Sequence, residues 1–470
     1  MTTPVPGPVR PPAAVRPDDA RRALVAGSVG NFIEWYEFGI YGYFATVIAA
    51  QFFTPDGGSA VEGLVKAYAS FALAFFFRPV GAAVFGRFGD RAGRRPALVL
   101  VVCLMTGATA MIGLLPTYAS IGAAAPWLLT LLRILQGLSA GGEFGGAVSV
   151  MTECAPPGRR GLYGAWQSFT VALGLLAGAA VAVVLASVLT ASQLQGWGWR
   201  VPFLLTLPLG LVALRLRLRL PADEPPAPAP PALAPPALVP PAPVPPALAP
   251  PALVPGGRAK GGAGPAGGPR PRPGETARAV VLGVGRMMGW SAAGYTFLVV
   301  MPSYLQSTLG TTFQRALLGT VLANLGFAAS ILPAGRLSDR IGRRTVMVAG
   351  ALLIAALALP LLHLVQDPGA PGYAKGAALF AAGAGVGLMA GPGPAMLAEM
   401  FPARVRCTGL GLAYALSNAV FSGCAGLIIT EVVARTGNVD VPGQYAAATC
   451  AVSAAALLTL RGDDHGRALR

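Results

Sequence analysis

Apolar and polar residues alternate along this chain in long blocks rather than at helix or strand period. Apolar runs of 18 or more residues recur from one end to the other, separated by short arginine-bearing turns. Runs of that length have the reach of a helix across a bilayer. About twelve are legible, at roughly 23–50, 62–86, 96–116, 124–153, 161–189, 198–220, 279–306, 313–335, 345–365, 373–400, 407–434 and 443–460. The last is short and alanine-rich and is the weakest of them. The pattern predicts an all-α polytopic membrane protein.

The arginines set the orientation. Arg10, Arg16, Arg21 and Arg22 precede the first span, and Arg159 and Arg160 follow the fourth. Arg404 and Arg406 follow the tenth, and Arg461, Arg467 and Arg470 lie in the tail. Further clusters follow spans two and eight, while the alternate loops hold almost none. By the positive-inside rule both termini are expected in the cytoplasm, with the protein in the cytoplasmic (inner) cell membrane.

The chain divides accordingly. Residues 1–22 form a cytoplasmic tail, 23–220 a first six-helix bundle, 221–277 a linker, 278–461 a second six-helix bundle and 462–470 a cytoplasmic tail. The N-terminal tail lacks the apolar core and cleavage site of a secretory signal, so the first span is expected to act as an uncleaved insertion signal. The linker core, PPALAPPALVPPAPVPPALAPPALVP, is too proline-dense for helix and reads as polyproline II followed by a glycine-rich basic stretch. A tether between the two bundles is its simplest role. Docking of a proline-reading partner is the sharper alternative.

Composition narrows the class. Only 11% of residues are charged, against about a quarter in an ordinary soluble domain. The net charge of +16 is dispersed in interhelical clusters, so it does not form a nucleic-acid patch. Five scattered cysteines and two distant histidines offer neither metal-ligand spacing nor a disulfide framework. No nucleophile–histidine arrangement lies in the spans, so no enzyme activity and no cofactor are expected.

One loop occurs twice. Residues 86–95 read GRFGDRAGRR and residues 335–344 read GRLSDRIGRR, each after the second span of its half. The glycines Gly86 and Gly93, and Gly335 and Gly342, permit tight turns and close helix approach. Asp90 sits among Arg91, Arg94 and Arg95, and Asp339 among Arg340, Arg343 and Arg344. Such groups at helix ends can form an ion-pair network when the cytoplasmic side closes and lose it on opening. A topology signal alone would need only the arginines. Two parallel six-span halves match the plan in which a molecule binds between them at the bilayer midplane.

The first span holds GNFIEWYEFGIYGY, with Glu34 and Glu37 one turn apart on a shared face, about 4.5 Å along the axis. A charge at the bilayer centre costs roughly 2.5–3.5 kcal/mol on insertion scales, so such residues face a cavity or a partner. Two neighbouring acids are suited to proton coupling, though either can simply pair with an arginine. Span four supplies Arg133, Gln136 and Glu143. Arg133 and Glu143 lie about 15 Å apart along a helix, so each needs a partner elsewhere. Gly137, Gly141, Gly142, Gly145 and Gly146 leave one flank of that helix bare for packing. Arg78, two turns from a cytoplasmic end, is placed away from the substrate, and Arg286 is placed to snorkel. Trp35, Tyr36, Tyr41, Tyr43, Trp166, Trp290, Tyr295 and Tyr304 are interfacial or packing aromatics, or parts of a cage for a quaternary ammonium.

The doubled loop resembles the signature of the major facilitator superfamily. GNFIEWYEFGIYGY, RPVG at 78–81, QGLSAGGEFGG at 136–146, GRRGLYGAWQ at 158–167, WGWRVPF at 197–203, MPSYL at 301–305 and FPARVR at 401–406 resemble, in that order, its metabolite:proton symporter family. The resemblance covers both halves. It implies the major facilitator fold and proton-driven uptake, by alternating access, of a small organic acid or a zwitterion such as proline or betaine. It implies protons and a small molecule as partners within the lipid bilayer, and a monomer driven by the proton gradient. Glu34 and Glu37 are then the first candidates for proton handling, Arg133 and Glu143 the second, and the paired loops the gate. Glu37 departs from the family, which usually has aspartate there. The tail after the last span is too short for the coiled coil of osmosensing members. Proton-coupled efflux is the alternative, weakened because span five lacks the proline-bearing efflux signature. A transport-incompetent sensor is a further one, weakened by the retained intramembrane acids.

Overall fold

The computed structural model describes residues 17–55, 57–141, 144–145, 148, 151–152, 155–156, 158–219, 273–402 and 405–460, the side chains of 17–24, 26, 89, 90, 94 and 273 excepted. Among the described residues twelve main helical segments run in chain order, with a short helix at Tyr118–Ile121 between the third and fourth. The first half comprises α1 (17–53), α2 (Ala60–Ala92), α3 (Arg94–Leu114), α4 (described over Ala124–Ala140), α5 (Arg160–Val188) and α6 (Ala191–Leu218). The second comprises α7 (273–307), α8 (Phe313–Ile341), α9 (Arg343–Gln366), α10 (Gly372–Met400), α11 (Arg406–Thr436) and α12 (Val441–Leu457). Eight of the described helices, α2, α3, α5, α6 and α8 to α11, are long and apolar enough to cross a membrane. Large apolar side chains such as Trp127, Val188 and Leu131 project outward from the bundle, as a lipid-facing surface requires.

The doubled loop folds the same way in each half. Gly93 separates α2 from α3 at φ 93°, ψ 156°, and Gly342 separates α8 from α9 at φ 93°, ψ 152°. Side chains are strained in that region, so glycine alone suits the one-residue turn. Helix crossings repeat as well. A Cβ on Gly137 of α4 would meet the Ala74 carbonyl oxygen of α2 at 1.9 Å, and one on Gly383 of α10 would meet the Ala323 oxygen of α8 at 1.9 Å. Small residues let these backbones touch, which is how helices associate when lipid supplies no hydrophobic drive.

The halves face each other mainly through α5 against α8 and α2 against α11, with α1 meeting α7. One end of the bundle gathers the arginine-rich turns. There Arg95 at the start of α3 donates to the Leu218 carbonyl at the end of α6. Arg344 at the start of α9 donates to the Leu460 carbonyl beyond α12 at 3.4 Å. Among the described residues, four helices contain π-helical turns, at 49–53, 194–198, 296–300 and 418–423. The last two lie in α7 and α11, where those helices face the first half. Such turns release backbone from the regular ladder and are frequent at functional sites.

Candidate functional site at the interface of the two halves

A cavity lies between the halves, walled by α1 and α5 on one side and α7, α8 and α11 on the other. Trp35, Trp290, Tyr295 and Tyr414 give it aromatic faces, and Ser168, Asn418 and Ser422 give it polar ones. A mostly apolar pocket with a few placed polar groups is the usual form of a small-molecule site. The polar side chains are themselves held. Ser422 donates to Asn418 Oδ1 at 2.9 Å, and Ser168 donates to the Ala390 carbonyl at 2.8 Å.

Behind Trp35 lies a buried charge cluster. Glu34 sits 3.3 Å from Arg78 Nη2, both side chains almost fully enclosed. The Arg78 guanidinium stacks over Phe75 and Phe38 at 4.3 and 4.4 Å, and it reaches the cavity ring of Trp35 at 5.7 Å. Glu37, one turn further along α1, faces α3 and α4 instead. Arg133 donates to Gln136 Oε1 at 2.7 Å, Gln136 Nε2 donates to Thr109 at 2.6 Å, and Thr109 donates to Glu37 Oε2 at 2.7 Å. Glu37, Arg133, Gln136 and Thr109 are wholly buried. Arg133 also stacks over Tyr41 at 4.1 Å, a contact that compensates part of the lost hydration.

The two acids therefore share a helix but not a partner. Glu34 is in an ion pair, whereas Glu37 ends a chain of neutral hydrogen bonds that leads to an arginine. Arg78 stands closer to the cavity than its sequence position foretells, because α2 continues well past it. Arg286 does not snorkel. It is buried, and its Nη2 donates to Thr459 at 2.8 Å. Glu143 lies outside the described residues. Of the aromatics, Trp35, Trp290 and Tyr295 reach the cavity. Tyr36 and Tyr43 donate to the carbonyls of Pro202 and Leu175, Tyr41 bonds Ser70, and Tyr304 donates to the Val439 carbonyl. Trp166 is exposed and bonds Ser28.

At the arginine-rich end the second loop joins the halves. Asp339 accepts from the backbone N–H of Gly161 at 2.7 Å and of Leu162 at 2.9 Å, which are the free donors at the start of α5. Arg343 bonds the same carboxylate at 2.7 Å and Glu399 of α10 at 3.2 Å. Gly161 is required here, since a Cβ would lie 2.5 Å from the Gly335 carbonyl oxygen. Glu399, just before FPARVR, and the α5 terminus escaped the sequence reading. In the first loop, Gly86 and Arg91 are exposed, and the side chains of Asp90 and Arg94 lie outside the described set. Arg340 is exposed as well.

The opposite end is also bridged. Tyr68 of α2 bonds Ser303 of α7 at 2.5 Å, Thr46 of α1 donates to Gln306 at 3.1 Å, and Gln314 of α8 donates to Ser187 of α5 at 2.9 Å. Described contacts thus join the halves on both sides of the cavity.

Comparisons with known proteins fit this geometry. Residues 23–222 match the family model "Sugar (and other) transporter" and residues 279–469 match "Major Facilitator Superfamily". The chain is 34% identical over 462 residues to the ectoine/proline transporter ProP of Corynebacterium glutamicum, covering 96% of this chain and 84% of that protein. It is 36% identical over 415 residues to the alpha-ketoglutarate permease of Escherichia coli, covering 87% of each. It is 31% identical over 442 residues to the citrate-proton symporter of Klebsiella pneumoniae, covering 93% of this chain and 92% of that protein. The crystal structure of a D-xylose-proton symporter superposes with a TM-score of 0.71 at 18% identity, covering 96% of this chain and 99% of that one.

Proposed function

The chain belongs to the major facilitator superfamily, among the relatives of its metabolite:proton symporters, and on that premise we propose that it carries out proton-coupled uptake of a small organic acid or zwitterion. It is a secondary active transporter with two six-helix bundles around a central cavity. Alternating access then consists of one bundle rocking against the other. The substrate occupies the aromatic cavity, and candidates follow from the relatives: proline, ectoine, α-ketoglutarate and citrate.

The observation that carries the reading is the chain from Glu37 through Thr109 and Gln136 to Arg133. Its bond between Thr109 and Glu37 Oε2 can be kept in either protonation state of Glu37. Ionised, the carboxylate accepts the Thr109 hydrogen. Protonated, it donates to Thr109 Oγ1, whose own hydrogen turns to the Met105 carbonyl 2.9 Å away. A buried acid that can change charge without stranding its neighbours suits a proton carrier. Glu34, held by Arg78, is the less suited of the two. Glu143 keeps the second-tier role of a coupling or substrate contact.

The Asp339–Arg343–Glu399 group and the α5 terminus are the proposed gate on the cytoplasmic side, with Asp90, Arg91, Arg94 and Arg95 as its counterpart. The positive-inside rule, applied to the arginine-rich turns, favours a cytoplasmic position for both termini and the proline-rich linker. The protein works as a monomer without a bound cofactor. Proteoliposomes with an imposed inward proton gradient test the proposal. Labelled proline, glycine betaine, α-ketoglutarate or citrate should accumulate in them, and Glu37→Gln should abolish accumulation. Accumulation that persists unchanged in the variant would move the proton site elsewhere.

A further inference from the structure

Buried polar atoms in a native structure normally have partners, and each exception calls for an explanation. Five of the exceptions sit on three side chains: Tyr295, which lines the cavity, and Arg78 and Arg133, which pack behind its aromatic wall. Arg78 Nε and Nη2, Arg133 Nε and Nη2, and the Tyr295 hydroxyl are enclosed yet make no hydrogen bond. Arg78 Nη2 is ion-paired with Glu34 at 3.3 Å but makes no hydrogen bond. Phe75 ties the donors together in space. Arg78 stacks over that ring at 4.3 Å, and the Tyr295 ring meets it edge-on at 5.5 Å. Phe71 does the same for Arg133 at 4.8 Å and Tyr295 at 6.1 Å. Both guanidiniums lie within electrostatic reach of the Tyr295 hydroxyl.

The charges are unbalanced as well. Around α1 the described acids and arginines include Glu34 and Glu37 of α1 itself, Arg78 of α2, Arg133 of α4 and Arg217 of α6, which lies within reach of Glu34; the tyrosines facing them are Tyr36, Tyr41, Tyr295 and Tyr414. Two carboxylates face three guanidiniums. The excess of positive charge grows by one when Glu37 takes a proton.

We propose that Arg78, Arg133 and the Tyr295 hydroxyl form a subsite for a carboxylate of the transported molecule. This deepens the transport reading above and rests on it. A carboxylate offers about four acceptor positions in a plane, which suits donors from two guanidiniums and one hydroxyl. The rest of the molecule lies against Trp35, Trp290 and Tyr414, whose faces accept an apolar or an ammonium-bearing body. The arginines belong to the first half and Tyr295 to the second, so a bound carboxylate spans the interface. Loading of the proton on Glu37 and of the carboxylate on the arginines then favour each other.

The test is binding to the purified full-length protein, read by tryptophan fluorescence, because Trp35 and Trp290 line the cavity. The probes are pairs that differ at the carboxylate: proline and prolinamide, glycine betaine and choline, α-ketoglutarate and its dimethyl ester. At least one carboxylate should bind tenfold or more tightly than its neutralised partner. Tyr295→Phe keeps the ring packing and should weaken that carboxylate about tenfold, the usual loss of a hydrogen bond to a charged group, with little effect on the partner. Equal affinity within every pair would overturn the proposal. So would wild-type affinity in a Tyr295→Phe variant that elutes and melts like the parent, or no carboxylate binding at all. Uptake by proteoliposomes separates the two claims. Gradient-driven uptake of only the neutralised probes would remove the subsite and leave transport. Carboxylate binding without gradient-driven uptake of any probe would leave the subsite and remove transport.

Discussion

Asp339→Asn should tip the molecule toward the state open at the arginine-rich end. The wild-type carboxylate is 8% exposed and holds two backbone N–H groups of α5 and the Arg343 guanidinium. Asparagine keeps one acceptor oxygen, so it can hold one N–H in a neutral bond. It loses the second N–H, the ion pair and the charge at the helix start. A hydrogen bond to a charged group contributes about 1.5–3 kcal/mol. A charge at a helix N-terminus adds about 0.3–1 kcal/mol. Part of this returns as the bond that the asparagine itself makes and as hydration in the open state, leaving a bias of roughly 2–3 kcal/mol, which is a shift of about 30- to 150-fold in the closed-to-open ratio. Spin labels on the exposed positions 159 and 336, in a background free of the native cysteines, would report the separation of α5 from α8. The distance distribution should move from mostly short to mostly long. A ratio that changes less than threefold would refute the latch.

Other consequences are as direct. Glu34→Gln leaves Arg78 buried without its counter-charge and should cost about 3–5 kcal/mol, seen as a lowered melting temperature in detergent. Adding Arg78→Met to it should recover most of that loss while abolishing carboxylate binding. Gly137→Ala drives a Cβ into the Ala74 backbone and should destabilise by at least 1–3 kcal/mol. Gly86→Ala, whose Cβ would meet nothing within 4 Å, should leave the melting temperature within a degree or two. Gly342→Ala, at φ 93°, should cost about 1–3 kcal/mol and weaken the same latch as Asp339→Asn.

The helices were legible because lipid demands long apolar runs, and the two-fold plan because GRFGDRAGRR returns as GRLSDRIGRR. Glu34, Glu37 and Arg133 stood out because an ionisable residue in such a run is costly and needs a reason. Their partners stood out only in part. Gln136 is legible as a polar residue of span four, but Thr109 is an ordinary residue until the crossing of α1, α3 and α4 aligns it between Gln136 and Glu37. Arg78 reads as a helix-end arginine, since nothing local shows that α2 extends to Ala92. Asp339 reads as one of five charges in its loop, and only the approach of α5 from the other half gives it two backbone donors. Tyr295 is one aromatic among many in sequence. Its missing hydrogen bond is visible only in three dimensions.

The most direct test of the account is to follow protons and substrate together. Proteoliposomes with a trapped pH dye and no imposed gradient would receive an inward gradient of proline, glycine betaine, α-ketoglutarate or citrate in turn. The account predicts that at least one of them acidifies the lumen in step with its entry, and that Glu37→Gln admits the compound without moving protons. Entry with no pH change in the wild-type protein, or acidification that survives intact in Glu37→Gln, would contradict it.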